Sequence, residues 1–202
     1  MKAVKHILFL GVAILMATSC FGKASLKKHR IHLKDMHIGF YQGATLLDVS
    51  RNINIPSNQK VTAATTGVTF GFPFIDHFRS EIGLSMNNLL LNNKKNGIMT
   101  TQNSFLSVPA TVQYYILPKK SKIQPYFGFG AMIVPDADKL LFTRSSDGTN
   151  MLQGTGIINM LITQGVNIEI NTHIRLTESL HIMSSEGRTS YGLNLGVNLY
   201  MP

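Results

Sequence analysis

The chain has 202 residues, 44% of them hydrophobic and 14% charged, and carries a formal net charge of +9. That length fits one domain, and no apolar run reaches the roughly 20 residues that a membrane-spanning helix needs. A bilayer could then be crossed only by a closed sheet, since helices and barrels alone satisfy every backbone polar group in lipid.

The amino terminus reads as an export signal. Lys2 and Lys5 precede the apolar run Ile7 to Met16, and the small residues Ala17, Thr18 and Ser19 follow. This is the pattern of a secretory signal peptide over residues 1–24, cut after Ser19 or after Ala24. The single cysteine, Cys20, rules out an intramolecular disulfide. Ala17-Thr18-Ser19-Cys20 also resembles a bacterial lipoprotein box with Ala where Leu is usual, so lipidation of Cys20 stays open beside its loss with the leader or an inert thiol. Residues 25–35 hold Lys27, Lys28, His29, Arg30, His32 and Lys34. A nucleic-acid site would set such a cluster inside a folded motif with base-stacking aromatics. Here it lies on an exported tail, so we expect a solvated or headgroup-facing periplasmic segment and no nucleic-acid partner.

From Met36 onward the apolar residues alternate with period two, the mark of strands with one greasy face. The first strand is expected over Met36–Ala44, followed by a polar loop from Asp48 to Lys60 that contains Pro56. The second runs from Val61 to Phe72 and returns tightly through Pro73 to Asp76. In the third, Phe78, Ser80, Ile82, Leu84 and Met86 oppose His77, Arg79, Glu81, Gly83 and Ser85. Arg79 and Glu81 thus share the non-greasy face, which suits a barrel interior, because a charge facing lipid at mid-depth costs about 2–4 kcal/mol. A second polar loop spans Asn87 to Asn103.

The fourth and fifth strands form one hairpin, Ser107 to Val134. Leu106, Val108, Ala110, Val112, Tyr114 and Ile116 alternate with Ser107, Pro109, Thr111, Gln113 and Tyr115. After the turn Pro118 to Lys122, the residues Ile123, Pro125, Phe127, Phe129, Ala131 and Ile133 alternate with Gln124, Tyr126, Gly128, Gly130 and Met132. The longest insertion follows, Asp136 to Gly156. The sixth strand, from Ile158, faces Asn159, Thr163, Gly165, Asn167 and Glu169 one way, while Gln164 interrupts its apolar side. The seventh sets Ile174, Leu176, Leu180 and Ile182 against His173, Arg175, Thr177, Ser179 and His181. Glu178 falls on its greasy side, so either a bulge or a slipped register is expected there. A short loop, Ser184 to Thr189, leads to the cleanest alternation in the chain, Tyr191 to Met201.

Eight strands result, joined alternately by turns of a few residues and by loops of about 13 to 21, with only the last connection out of pattern. Short turns on one side and long loops on the other are how transmembrane barrels are built. The expected fold is therefore all-β, an eight-stranded antiparallel up-and-down barrel over residues 36–202 with both termini in the periplasm. The last strand also fits the signal by which barrels are recognised for assembly, through Asn194, Gly196, Leu199 and Met201, although Met201-Pro202 stand where Phe or Trp is usual. Outer-membrane lipids and the assembly machinery are the expected partners.

The hairpin resembles a known family. A proline inside a strand that ends in aromatics, a short basic turn, then Ile123-Gln124-Pro125-Tyr126 and an aromatic-Gly-aromatic-Gly run is similar to the hallmark hairpin of the OmpW family of outer-membrane proteins. The resemblance implies an eight-stranded barrel in the outer membrane and a narrow, partly apolar passage that admits small hydrophobic molecules and releases them sideways through the wall.

Catalysis is not expected. Gly128-Phe129-Gly130 opens no helix, so a dinucleotide site is excluded, the seven histidines show no metal spacing, and no cofactor is implied. His181, Ser179 and Glu169 could meet on adjacent strands, but polar groups must fill any small barrel. The candidate lumen-lining residues are Arg79, Glu81, Thr111, Gln113, Glu169, Arg175, His181 and Asn194. Pro109 has no N–H, so it is the candidate gap in the wall. A barrel of eight strands holds little beyond its own side chains or one small ligand, which excludes a water-filled porin. The readings carried forward are a narrow channel for small hydrophobic molecules and, alternatively, a structural barrel that acts through its external loops.

Overall fold

The computed structural model describes residues 36–48, 60–75, 77–90, 99–100, 104–118, 120–137, 141–143, 151–153, 156–185 and 188–201. The segments expected as a leader and as a basic tail lie outside them. Among the described residues there are eleven strands: β1 His37–Asp48, β2 Lys60–Ile75, β3 Phe78–Leu90, β4 Met99–Thr100, β5 Ser104–Tyr115, β6 Ile123–Ile133, β7 Leu141–Thr143, β8 Met151–Gln153, β9 Ile158–Glu169, β10 Ile174–Ser185 and β11 Arg188–Tyr200. Eight of them close into a barrel in the order β1-β11-β10-β9-β6-β5-β3-β2, and β4, β7 and β8 make a separate small sheet.

Closure is made by β1 against β11, antiparallel from His37 opposite Tyr200 to Leu46 opposite Tyr191. The Met201 N–H donates to the Met36 carbonyl at 3.0 Å, so the two ends of the barrel domain lie side by side. Period-two patterning decides the faces. Outward positions are exposed and apolar, such as Phe40, Val68, Leu84, Val112, Phe129, Ile162 and Leu195. Inward positions carry polar groups and glycines. Because an eight-stranded interior is narrow, large inward rings need room: the His37 ring lies over Gly71 and the His181 ring over Gly192, where a Cβ would collide with either.

The strands outrun their expected ends on the long-loop side. β1 continues to Asp48 and β3 to Leu90, so Asn87 is a buried, inward strand residue rather than the start of a loop. The last connection shortens to two residues between Ser185 and Arg188. Two insertions expected as loops contribute the small sheet, with Met99 opposite Thr143 and Leu141 opposite Gln153. Glu178 marks neither a bulge nor a slip, since β10 keeps an unbroken register with both neighbours and the side chain simply faces outward. The one irregularity in the β2–β3 hairpin lies between Pro73 and Ile75, next to His77 with φ 70°.

Candidate functional site: a plugged lumen beside an interrupted wall

The interior is layered along the barrel axis. At the end that carries both termini, polar side chains from seven strands interlock. Arg79, 4% exposed, donates from Nη1 to the Tyr200 hydroxyl at 2.6 Å and stacks 4.5 Å from the centre of the Tyr115 ring. Arg175 lies 4.7 Å from the Tyr200 ring centre, donates to Glu169 Oε2 at 3.0 Å and also to the Gln124 carboxamide oxygen. His37 Nε2 meets Glu81 Oε2 at 3.2 Å. Tyr115 donates to Gln113 Oε1 at 2.9 Å and accepts from Asn167 at 2.9 Å, while Asn198, Thr177 and Asn167 continue the chain at 2.8 and 2.7 Å. Two guanidinium groups are thereby held in a narrow space by carboxylates, hydroxyls and ring faces together, which offsets their desolvation.

A hydrogen-bonded belt crosses the middle of the lumen. His181 Nε2 lies 3.3 Å from Thr45 Oγ1, and Asn194 Nδ2 lies 3.4 Å from His181 Nδ1, so both ring nitrogens are engaged. Thr45 reaches Thr65 at 3.2 Å, Thr65 donates to Asn87 Oδ1 at 2.9 Å, and Asn87 donates to Ser107 at 2.9 Å. Above this belt, at the long-loop end, the filling turns apolar: Leu47, Val61, Leu89, Phe105, Val134, Leu161 and Met183 pack as a buried collar. A cavity of about 80 Å³ lies between plug and collar, lined by Glu81, Thr111 and Gln113 on one side and by Phe105, Leu161 and Met183 on the other. Thr163 Oγ1 and Asn194 Oδ1 line it too, and each is buried without a hydrogen-bond partner among the described residues.

The wall beside this cavity is interrupted. β3 and β5 are paired from Phe78–Tyr114 to Ile82–Ala110 and again from Ser85–Ser107, but not between Gly83-Leu84 and Val108-Pro109. On its other side Pro109 stays in register opposite Met132. The missing N–H of proline accounts for a break on one side only. The Pro109 ring lines the cavity, and its Cγ lies 3.1 Å from where a Cβ on Gly83 would stand.

Of the sequence-derived residues, Arg79, Glu169 and Arg175 stand in the plug, Glu81 and Gln113 belong to the plug and also line the cavity, and Thr111, His181 and Asn194 line the cavity. Ser179, His181 and Glu169 do not converge: Glu169 opposes Arg175 at the terminus end, and His181 opposes Thr163 six residues further along β10. Sequence reasoning missed the aromatic half of the plug, Tyr115 and Tyr200, and the Thr45–Thr65–Asn87 belt. Their inward parity was the available signal.

A closed antiparallel barrel of eight strands, apolar outside and polar within, with tight turns at the end bearing the termini, defines a transmembrane β-barrel of the outer-membrane type. The model of the OmpW family matches residues 41–199, and the chain belongs to that family. Solved structures agree on the fold. Neisserial surface protein A is 12% identical with a TM-score of 0.59 over 86% of this chain and all of that one, and the N-terminal barrel domain of Pseudomonas aeruginosa OprF is 12% identical with a TM-score of 0.50 over 81% and 97%. No curated protein sequence matched. Fold and family indicate the outer membrane as its location; short turns face the periplasm and long loops the outside in such barrels, an orientation that puts the plug at the periplasmic end and the collar at the external end.

Proposed function

We propose that the barrel passes small, largely apolar molecules from the outside into the membrane, taking them in past the external collar and releasing them sideways through the β3–β5 wall. The interrupted ladder at Pro109, adjoining the cavity, carries this reading. A route straight through is opposed by the arginine-tyrosine plug, whose two cations are held from several strands. The collar favours apolar solutes, and the unpartnered Thr163 and Asn194 oxygens tolerate one polar group on them. Export by a cleaved leader, insertion by the assembly machinery through β11, and a surround of outer-membrane lipid belong to the same proposal; no catalytic role does. In the test, Pro109→Ala restores an N–H at the break. Vesicles holding this variant should take up a hydrophobic solute more slowly than those holding the native barrel, and unchanged uptake would sink the lateral route.

The small sheet of β4, β7 and β8 favours a second reading, a surface-interaction barrel, because it joins two insertions into one platform. Deleting the β7–β8 hairpin separates the two: uptake persists under the first, and surface binding is lost under the second.

A further inference from the structure

The outer wall is not uniformly apolar. Four non-aromatic polar side chains lie on it more than three residues from either end of their strands: Gln42 on β1, Thr66 on β2, Gln164 on β9 and Glu178 on β10, all of them exposed. They fall on neighbouring strands. Glu178 opposes Leu195, Leu195 opposes Gln42, and Gln42 opposes Thr66 in one row, while Gln164, opposite Leu180, is the diagonal neighbour of Glu178. The corresponding outer positions on β3, β5 and β6, such as Leu84, Val112 and Phe129, are apolar.

This placement is costly for a lone barrel. Glu178 stands four residues in from the periplasmic end of β10, about 10 Å up a tilted strand and so well within an apolar band about 25 Å tall. It forms no ion pair with a described residue. Polar groups that face hydrocarbon drive association, because a protein neighbour supplies the partners that lipid lacks. Here the chemistry selects the neighbour. A carboxylate only accepts hydrogen bonds, whereas the amides of Gln164 and Gln42 on either side of it donate. A patch with acceptor and donors together is complementary to itself under a two-fold axis, as a contact between identical copies requires. Each strand step along a row changes the height by about 3 Å, so Gln42, Gln164 and Glu178 lie within a belt about 6 Å tall and become level in two barrels standing side by side.

We propose that a second copy of this chain docks against the β9–β10–β11–β1 face, the Glu178 carboxylate of each barrel accepting hydrogen bonds from a Gln164 or Gln42 amide of the other. The ring order supports it. The β10–β11 pair lies four strands from the β3–β5 break in either direction, so pairing here leaves that break facing lipid. The inference does not depend on what, if anything, crosses the wall.

The test is cross-linking of the full chain, with Cys20→Ser, refolded in phosphatidylethanolamine/phosphatidylglycerol vesicles. Leu195→Cys should oxidise to a disulfide-linked dimer, and Leu84→Cys on the opposite wall should stay monomeric. Adding Glu178→Leu to Leu195→Cys should weaken dimerisation about tenfold, and Glu178→Gln should keep most of it. Heat-modifiable migration on gels verifies that each variant is folded, and the Leu195→Cys and Leu84→Cys pair leaves Glu178 unchanged. Equal cross-linking of those two, a dimer indifferent to Glu178→Leu, or cross-linking in native membranes to another protein instead of to itself would each overturn the proposal.

Discussion

Replacing Tyr200 by Phe removes one oxygen from the periplasmic plug and little else. The hydroxyl accepts from Arg79 Nη1 at 2.6 Å, and Arg79 is 4% exposed, so water has little access to take its place. Hydrogen bonds to charged groups contribute about 1.5–3 kcal/mol, and the loss should fall near 2 kcal/mol. The ring itself stays for the guanidinium groups, Arg79 at 5.4 Å and Arg175 at 4.7 Å from its centre. Tyr200→Ala forfeits these contacts as well as the buried ring, and should cost about 3–5 kcal/mol in all. The chain has no tryptophan, so urea unfolding of the refolded barrel in vesicles is best followed by the heat-modifiable gel shift or by circular dichroism. With a urea dependence of about 2 kcal/mol/M, Tyr200→Phe should lower the midpoint by roughly 1 M, and Tyr200→Ala by more. A Tyr200→Phe midpoint within about 0.2 M of native, a change of under 0.5 kcal/mol, would refute the account of the plug as a set of charge-assisted contacts.

Other consequences can be checked with the same unfolding assay. Gly192→Ala places a methyl group against the His181 ring and should destabilise the barrel by about 1–3 kcal/mol. The double change with His181→Ala should cost less than the sum of the singles, and strict additivity would rule out the contact. Arg175→Met leaves the Glu169 carboxylate without its cation; because that side chain is 26% exposed, the loss should be about 2 kcal/mol, below the 3–5 of a fully buried pair. Val112→Arg on the lipid face should cost about 2–4 kcal/mol, whereas a charge added at an external loop should cost almost nothing. Phe105→Ala opens the collar and should raise uptake of an apolar solute while lowering stability by about 3–5 kcal/mol; slower uptake would place the entry elsewhere.

The barrel was legible because parity is a strict code: on nearly every strand, alternate residues are greasy, and the positions between them carry Arg79, Glu81, Gln113, Glu169 and Arg175 inward. Parity does not give neighbours. Arg79 and Tyr200 lie 121 positions apart and meet only through the closure of β11 on β1, a register fixed by the whole ring. Asn87 looked like the start of a loop because it opens the polar run Asn87-Asn88, yet an interior that bonds amides to hydroxyls makes Asn an ordinary strand residue there. Glu178 looked like a register fault for the opposite reason. The rule that outward means apolar holds for a wall that meets only lipid, and a polar outward residue in an unbroken ladder signals something other than a slip.

The plug has a consequence for assembly. Its members come from β1, β3, β5, β6, β9, β10 and β11, so it does not exist in a hairpin or in an open sheet. Before the first and last strands join, Arg79 lacks the Tyr200 ring and hydroxyl that β11 brings to it, whereas Arg175 already has Glu169 and Tyr200 on its two neighbouring strands, so an incomplete wall would bring one poorly compensated cation toward lipid. Once β11 reaches β1, these contacts form together. The plug therefore acts as a latch on closure, disfavouring a partly inserted chain and stabilising the finished ring, which makes insertion of this barrel closer to all-or-none than its hairpins taken singly would suggest.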